Sequence, residues 1–211
     1  MKKFKKIDIQ SWNRKAQFDF FREFEQPFFN ICTQVEISSV YQQCKNHGQP
    51  IFLSLLYLLN RSLDQVREFR LRIKNDAVLE FQEIHIGATI LQDDNTFLFC
   101  TIKDHPEYEI FIKNAQHALE AQKSANVFQP HDTLNMIFVS SLPWISFTGF
   151  KHARNNGQLD SIPKFVFGKF TAEKDQLILP ISVEVHHALA DGYHVGKLLE
   201  TFQNQLNTFK I

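Results

Sequence analysis

The stretch that decides the fold is Val185-His186-His187-Ala188-Leu189-Ala190-Asp191-Gly192-Tyr193-His194, where an apolar strand runs into an amphipathic helix. Upstream of it, Leu177, Leu179, Ile181, Val183 and Val185 share one parity, while Pro180, Ser182, Glu184 and His186 share the other. Alternate side chains of a strand point to opposite faces. The pattern therefore predicts a strand over Leu177–His187, with His187 on the buried face and His186 on the more polar one. An imidazole partly withdrawn from water is pushed toward its neutral form, which suits a base working near pH 7. Downstream, Val195, Leu198, Leu199, Phe202 and Leu206 fall on one face of a helix predicted over Gly192–Phe209. Asp191 fits two roles here, a carboxylate beside the histidine or the N-cap of that helix. His187 likewise fits either a general base or a satisfied core histidine.

Working outward, Ser11 is a candidate cap for a helix reaching Phe24, with Phe18, Phe20, Phe21 and Phe24 as a broad aromatic face. Phe28–Glu36 reads as a strand, Ile37–Lys45 as a short polar helix, and Asn46-His47-Gly48 as a break. Pro50 suits the first position of an apolar helix continuing over Ile51–Leu63. Phe69–Ile73, Val78–Phe81, Ile84–Leu91 and Thr96–Ile102 read as strands, punctuated by Lys74-Asn75-Asp76 and Gln92-Asp93-Asp94-Asn95. Pro106–Asn126 reads as a surface helix and Leu134–Ser140 as a strand. Lys151–Ser161, with Asn155-Asn156-Gly157, reads as a loop, and Phe165–Phe170 reads as a strand joined to the Leu177 strand by the Ala172–Asp175 turn. Strands and helices mix without strict alternation. The expectation is one α+β domain over residues 1–211, a two-layer sandwich on a large mixed sheet.

Composition narrows the function. Lys plus Arg and Asp plus Glu both number 23, so no basic excess draws nucleic acid. With 22 phenylalanines, an aromatic core or ligand pocket is expected. Cys32, Cys44 and Cys100 are irregularly spaced and fit free thiols in a reducing compartment; no metal site is implied. The basic start Met1–Lys6 is not followed by an apolar segment, and the apolar run Pro50–Leu59 covers about half a membrane span. A cytoplasmic protein without membrane or nucleic-acid partners is expected.

Five blocks in order carry a family resemblance. His186-His187-Ala188-Leu189-Ala190-Asp191-Gly192 is similar to the HHxxxDG signature of the chloramphenicol acetyltransferases, which dihydrolipoamide acyltransferase catalytic domains share. Ser11–Lys15, Phe69–Arg72 with Leu79–Phe81, Phe138–Phe147 and Pro163–Phe170 resemble further segments of the chloramphenicol acetyltransferases. The resemblance implies O-acetyl transfer from acetyl-CoA to a hydroxyl of chloramphenicol by direct transfer in a ternary complex, giving antibiotic resistance. It implies His187 as general base, its orientation fixed by a ring-nitrogen bond to its own carbonyl. Ser140 is implied as donor to the oxyanion, and Asp191 as a structural carboxylate paired with Arg14. Phe21, Phe97, Phe138 and Val166 would line the acceptor site, and Phe170 the coenzyme channel. A homotrimer is implied, with His187 of one chain facing Ser140 of the next.

The sequence departs from the family pattern in several places. Val166 and Ala88 stand where the family has threonines, Phe99 where it has a small residue, and Glu25 near an apolar position. Phe170 replaces a tyrosine, and His47 a lysine that meets the coenzyme's phosphate. Another hydroxylated acceptor, or a non-catalytic binding protein on this fold, are the alternatives. No lipoyl domain or Pro/Ala-rich linker precedes these blocks, which makes a dihydrolipoamide acyltransferase the weaker match.

Overall fold

The computed structural model describes residues 4–154 and 160–211. The Asn155-Asn156-Gly157 turn expected within the Lys151–Ser161 loop lies outside these residues, as do the first three residues of the basic start. In chain order the first half contains β1 (Phe4–Lys6), α1 (Lys15–Phe21), β2 (Phe28–Glu36), α2 (Ser38–His47) and α3 (Ile51–Leu63). A 3-10 turn at Arg67–Arg70 leads into β3 (Leu71–Lys74), β4 (Ala77–Phe81), β5 (His85–Leu91) and β6 (Phe97–Ile102). Then come α4 (Tyr108–Ala125), β7 (Met136–Ser141), β8 (Lys164–Phe167), β9 (Thr171–Glu173), β10 (Gln176–His186) and α5 (Gly192–Thr208).

The large sheet has the order β2-β10-β8-β7-β5-β6, with β9 paired to the start of β10. β7 runs parallel to β5 and β8, and the other pairings are antiparallel, which makes the mixed sheet expected from the pattern. One face is covered by helices. Leu55, Leu56, Leu59 and Leu63 of α3 and Val195, Leu198, Phe202 and Leu206 of α5 pack there on Ile86, Val139, Phe165, Ile181 and Val183. α3 is apolar nearly all round because it lies against the sheet and between other helices. Local stops agree with residue type. α2 ends at Gly48 with φ 64°, and the β3–β4 turn uses Asn75 and Asp76 at φ 46° and 61°, residues that tolerate the left-handed region.

A second, smaller core explains how the decisive turn is seated. Ile7 just after β1, Phe18 of α1, Leu71 and Ile73 of β3, and Val78 of β4 enclose Ala188 and Leu189. The β1-β4-β3 sheet thus serves as a rear support for the turn after β10. Arg72 fastens this sheet to the large one. Fully buried, it donates to the carbonyls of Phe69, Leu71, Leu134 and Met136. Burial pushes its guanidinium pKa down to about 9.

Several expectations are corrected. The first helix is only Lys15–Phe21, and Ser11 does not cap it; its hydroxyl bonds Asp8 Oδ2 at 2.8 Å. The aromatic face is split, with Phe18 buried and Phe20 and Phe24 exposed. Phe69 belongs to the 3-10 turn, not to a strand. Pro50 is the N-cap of α3, one residue before its start. β8 stops at Phe167, so Phe170 lies outside it, and β10 stops at His186, so His187 begins the turn. β1 was without a signal, since three residues of a basic segment show no period.

Candidate active site

His187 leaves β10 with its main chain tied on both sides. Its N–H donates to Pro27 O at 2.7 Å, and its carbonyl accepts from Arg14 Nη2 at 2.7 Å. Arg14 Nε also donates to Ala188 O at 3.0 Å, and Nη1 and Nη2 grip the two oxygens of Asp191. One buried guanidinium therefore closes the turn across 173 to 177 residues of sequence. Bidentate Arg–carboxylate geometry fixes angle as well as distance. The guanidinium beside Asp191 holds its carboxyl below the usual carboxylate range, through the hydrogen bonds first. Asp191 is also the N-cap residue of α5, so both positions open in the sequence fall on one residue, its carboxylate turned to Arg14.

The imidazole of His187 stacks on Phe21, with centroids 3.8 Å apart and planes 5° apart, and leans on Phe29 at 4.6 Å. Its Nδ1 is buried without a hydrogen bond, 3.2 Å from Asp191 Oδ1. The bond from ring to own carbonyl implied by the resemblance is absent. That carbonyl is taken by Arg14.

The parity expectation for the two histidines is corrected. Both faces of β10 are buried: helices cover one, and on the other Arg154 pairs with Glu184. His186 is 6% exposed, whereas the His187 side chain is 33% exposed. The strong burial falls on His186, whose pKa desolvation pushes down to about 4. Its Nδ1 accepts from Ala188 N at 3.2 Å, so it props the same turn from within.

Ser140 lies elsewhere, at the end of β7 on the sheet face away from the helices. It lines a cleft of about 590 Å³ with Gly87, Thr89, Phe97, Phe99, His131 and Phe138. Gly87 is required there, because a Cβ would stand 2.7 Å from His131 Nε2 and 2.8 Å from Phe138. The opposite wall is polar and mostly charged: Glu25, Lys151, His152, Arg154, Asp160, Lys164 and Glu184. Arg154 pairs with Glu184 and Asp160, Lys164 with Asp160, and the Arg154 guanidinium lies 3.3 Å over Phe28. His152, half-buried among them, has its pKa pushed down to about 4, chiefly by burial. A second cleft of about 460 Å³ opens beside α3 and α4, lined by Phe52, Thr89, Leu119, Ser141, Pro143 and Trp144 among others. Thr89 borders both clefts, while the alternation of β7 gives Ser140 to the first and Ser141 to the second.

The expected lining is only partly met. Phe97, Phe99, Phe138 and Glu25 border the first cleft. Val166 pairs with Ser140 and Ser182 but is fully buried and does not reach the cleft surface. Ala88 faces the helix-covered core, and its neighbours Gly87 and Thr89 take the cleft positions. Phe21 lies against His187 instead of in this cleft. Phe170 packs near Tyr41 at 5.6 Å and borders neither cleft, and His47 is exposed at the end of α2 with Nδ1 on Gln43 O. The charged wall went unread because its members are scattered over loops and strands with no common period.

Most consequential is the placement of His187 relative to Ser140. Ser140 pairs with Val166, which pairs with Ser182, five residues before His187 on the same chain segment. Two strand spacings of about 4.8 Å and five residues at about 3.3 Å separate them by roughly 19 Å. No serine and histidine side chains bridge that gap within one chain.

A family model described as chloramphenicol acetyltransferase matches residues 2–203. The chloramphenicol acetyltransferase of Bacillus pumilus is 32% identical over 200 residues, which cover 93% of this chain and 90% of that protein. That of Proteus mirabilis is 29% identical over 199 residues, covering 93% and 92%. A solved structure of a chloramphenicol acetyltransferase matches with a TM-score of 0.84 at 26% identity, over 96% of this chain and 99% of that one. The cubic core of the pyruvate dehydrogenase multienzyme complex matches with a TM-score of 0.66 at 19% identity over 86% and 82%, a likeness of fold. The family match takes in the Arg14 segment, both clefts and the His187 turn: this chain belongs to the chloramphenicol acetyltransferase family.

Proposed function

We propose that the chain is an acetyl-CoA-dependent O-acetyltransferase that acetylates chloramphenicol, as a cytoplasmic homotrimer giving resistance to the antibiotic. The observation that carries this reading is a half-site at each end of the sheet. His187 stands at the surface, and Ser140 lines a cleft out of its reach. A symmetric assembly that sets His187 of one chain over the Ser140 cleft of the next completes both halves. The patch around His187 suits such a contact: Phe20, Phe21 and Phe24 touch one another, with Phe20 62% and Phe24 45% exposed.

In the completed site the acceptor occupies the first cleft, and the thioester arm of acetyl-CoA enters by the second. His187 offers Nε2, since Nδ1 is turned inward to Asp191. Nε2 takes the proton of the acceptor hydroxyl as its oxygen attacks the thioester carbonyl. The Ser140 hydroxyl donates to the oxyanion of the tetrahedral intermediate, which is worth about 3–4 kcal/mol. The C–S bond then breaks, and the CoA thiolate leaves and takes the proton back from His187. The products are the acetyl ester and CoA thiol.

A second reading keeps this chemistry and changes the acceptor. The charged wall of the first cleft favours a more polar hydroxylated molecule, since an apolar group seated there would desolvate buried ions. A thiol-release assay over a panel of acceptors separates the two.

The composite site has a sharper test. His187→Ala and Ser140→Ala chains are each purified, mixed in equal amounts, unfolded and reassembled together. Each site draws its histidine and serine from different chains, so about a quarter of the sites are intact. Recovery near that level is expected. A mixture as inactive as its parents, or a monomeric mass in light scattering, overturns the composite site.

A further inference from the structure

Resting on the acetyltransferase reading, we infer that His194 and Glu68 are a positioning pair that holds the His187 turn from behind. His194 is the third residue of α5, where a capping box places Glu or Gln to reach back to the N-cap amide. Here the imidazole does it: Nδ1 accepts from Asp191 N at 3.0 Å. Accepting through Nδ1 assigns the ring proton to Nε2. That nitrogen faces Glu68 Oε1 at 3.6 Å, on the 3-10 turn Arg67–Arg70. The neighbours Arg67 and Arg70 both turn to Glu80, at 2.9 and 3.5 Å.

The geometry makes this more than a helix cap. Asp191 is fixed at two points, its amide by His194 and its carboxylate by Arg14. Arg14 in turn holds the carbonyls of His187 and Ala188. Arg14, Glu68 and His194 border one small hollow of about 270 Å³, so the two supports meet behind the turn. Releasing the Asp191 amide lets its carboxylate shift, and Arg14 transmits the shift to His187. A misplacement of about 1 Å at a catalytic group costs roughly 100-fold in rate. His194 touches neither cleft, so it acts through His187 and not on a substrate.

The test compares His194→Ala, His194→Asn and Glu68→Gln with the wild-type protein, using acetyl-CoA and chloramphenicol. His194→Ala is expected to lower kcat about 10- to 100-fold with both KM values within about twofold. Asn presents Oδ1 near the place of Nδ1, so His194→Asn is expected to recover most of that loss. Glu68→Gln keeps the capping bond and exchanges the carboxylate that faces Nε2 for a neutral amide, so a drop of about two- to fivefold is expected. Hydrogen exchange at the Asp191 amide is read alongside: protected in wild type and His194→Asn, fast in His194→Ala. A wild-type protein that turns over neither chloramphenicol nor any acceptor of the thiol-release panel while showing this exchange pattern defeats the acetyltransferase reading and keeps the pair. Wild-type kcat in His194→Ala overturns the pair. So does an Asn variant that protects the amide but stays as slow as Ala. If His194→Ala does not fold, Asn and Glu68→Gln decide: loss of kcat in Asn with the amide protected, or no loss in Glu68→Gln, overturns it.

Discussion

The two halves of the proposed site are built by different means. Ser140 sits in a ladder: β7 is flanked by β5 and β8, and main-chain bonds hold it whatever its side chain does. His187 sits in a turn beyond the ladder; one main-chain bond ties it to Pro27, and side chains brace the rest: Arg14 from α1's leading edge, His186 from β10, and the small core under Ala188 and Leu189. Ladder bonds survive substitution of the residue they carry. A turn braced by side chains does not survive loss of its braces. Mutations at Ser140 should therefore report chemistry alone, and mutations around His187 chemistry and geometry together.

The largest expected effect is that of His187→Ala. Loss of a general base costs roughly 100- to 10,000-fold in kcat. The main-chain bonds to Pro27 and Arg14 do not need the ring, so the proposed oligomer and its affinity for CoA should persist in sedimentation and calorimetry. Residual turnover above a tenth of wild type would remove His187 from the chemistry.

Ser140→Ala comes next, at about 100- to 1,000-fold in kcat, the scale for one oxyanion donor. The ladder predicts an unchanged melting temperature within a degree or two. A matching fall in stability would mean that Ser140 is a structural hydroxyl and that the contrast between ladder and turn is misdrawn.

Arg14→Ala and Asp191→Asn test the braces. Arg14 is 9% exposed in its side chain and Asp191 36%, so the pair is buried on one side only. Its rupture falls below the roughly 3–5 kcal/mol of a fully buried pair. Each single variant should lose about 10- to 100-fold in activity, and the double variant little more than either one. Because the folded Asp191 pKa is depressed, its contribution is present above the unfolded value near 3.9 and fades as pH falls through the lower folded one. The difference in melting temperature between wild type and Asp191→Asn should therefore shrink below about pH 4. A fully active Asp191→Asn protein would reduce Asp191 to a cap, since Asn caps about as well.

The same contrast explains what the sequence revealed. Strand β10 and helix α5 were legible through the period of their apolar residues, and α3 through a run of apolar residues after Pro50. The His187 turn was legible through motif and resemblance. What pattern reading missed are contacts that only folding brings together. His186 looked like the outward residue because polar Ser182 and Glu184 share its parity, yet the Arg154 segment buries that face. Asn30 bonds Ser182 and Glu184 across the β2–β10 pair, which makes a polar face compatible with burial. Phe20 and Phe18 differ by two positions on a seven-residue helix, too short for a period to sort the buried ring from the exposed one. His194 was quoted with the motif but carries no role until Glu68, 126 residues earlier, is folded against it.

The smallest effect on activity, and the finest probe of the turn, is expected at His186. Its ring lies edge-on to Phe28 at 5.0 Å, and Nδ1 accepts the Ala188 amide, so it must stay neutral to keep that bond. Burial pushes its pKa from 6.5 down to about 4, and that of His152 to about 4 as well. In the unfolded chain both histidines bind protons from about pH 6.5 downward, while the folded chain resists until about pH 4. Their contribution to stability is therefore complete above pH 6.5 and is lost progressively as pH falls toward 4. His186→Asn keeps an acceptor for Ala188 and removes one titration. Activity should stay within about threefold of wild type, and the fall in melting temperature from pH 7 to pH 5 should be shallower, with buried His152 and His131 carrying the remainder. His186→Ala leaves the buried Ala188 amide without an acceptor, so it should be less stable than Asn at every pH. Identical pH slopes in wild type and His186→Asn would show that His186 carries none of the acid sensitivity, and equal stability of Ala and Asn that its bond to Ala188 does not hold the turn.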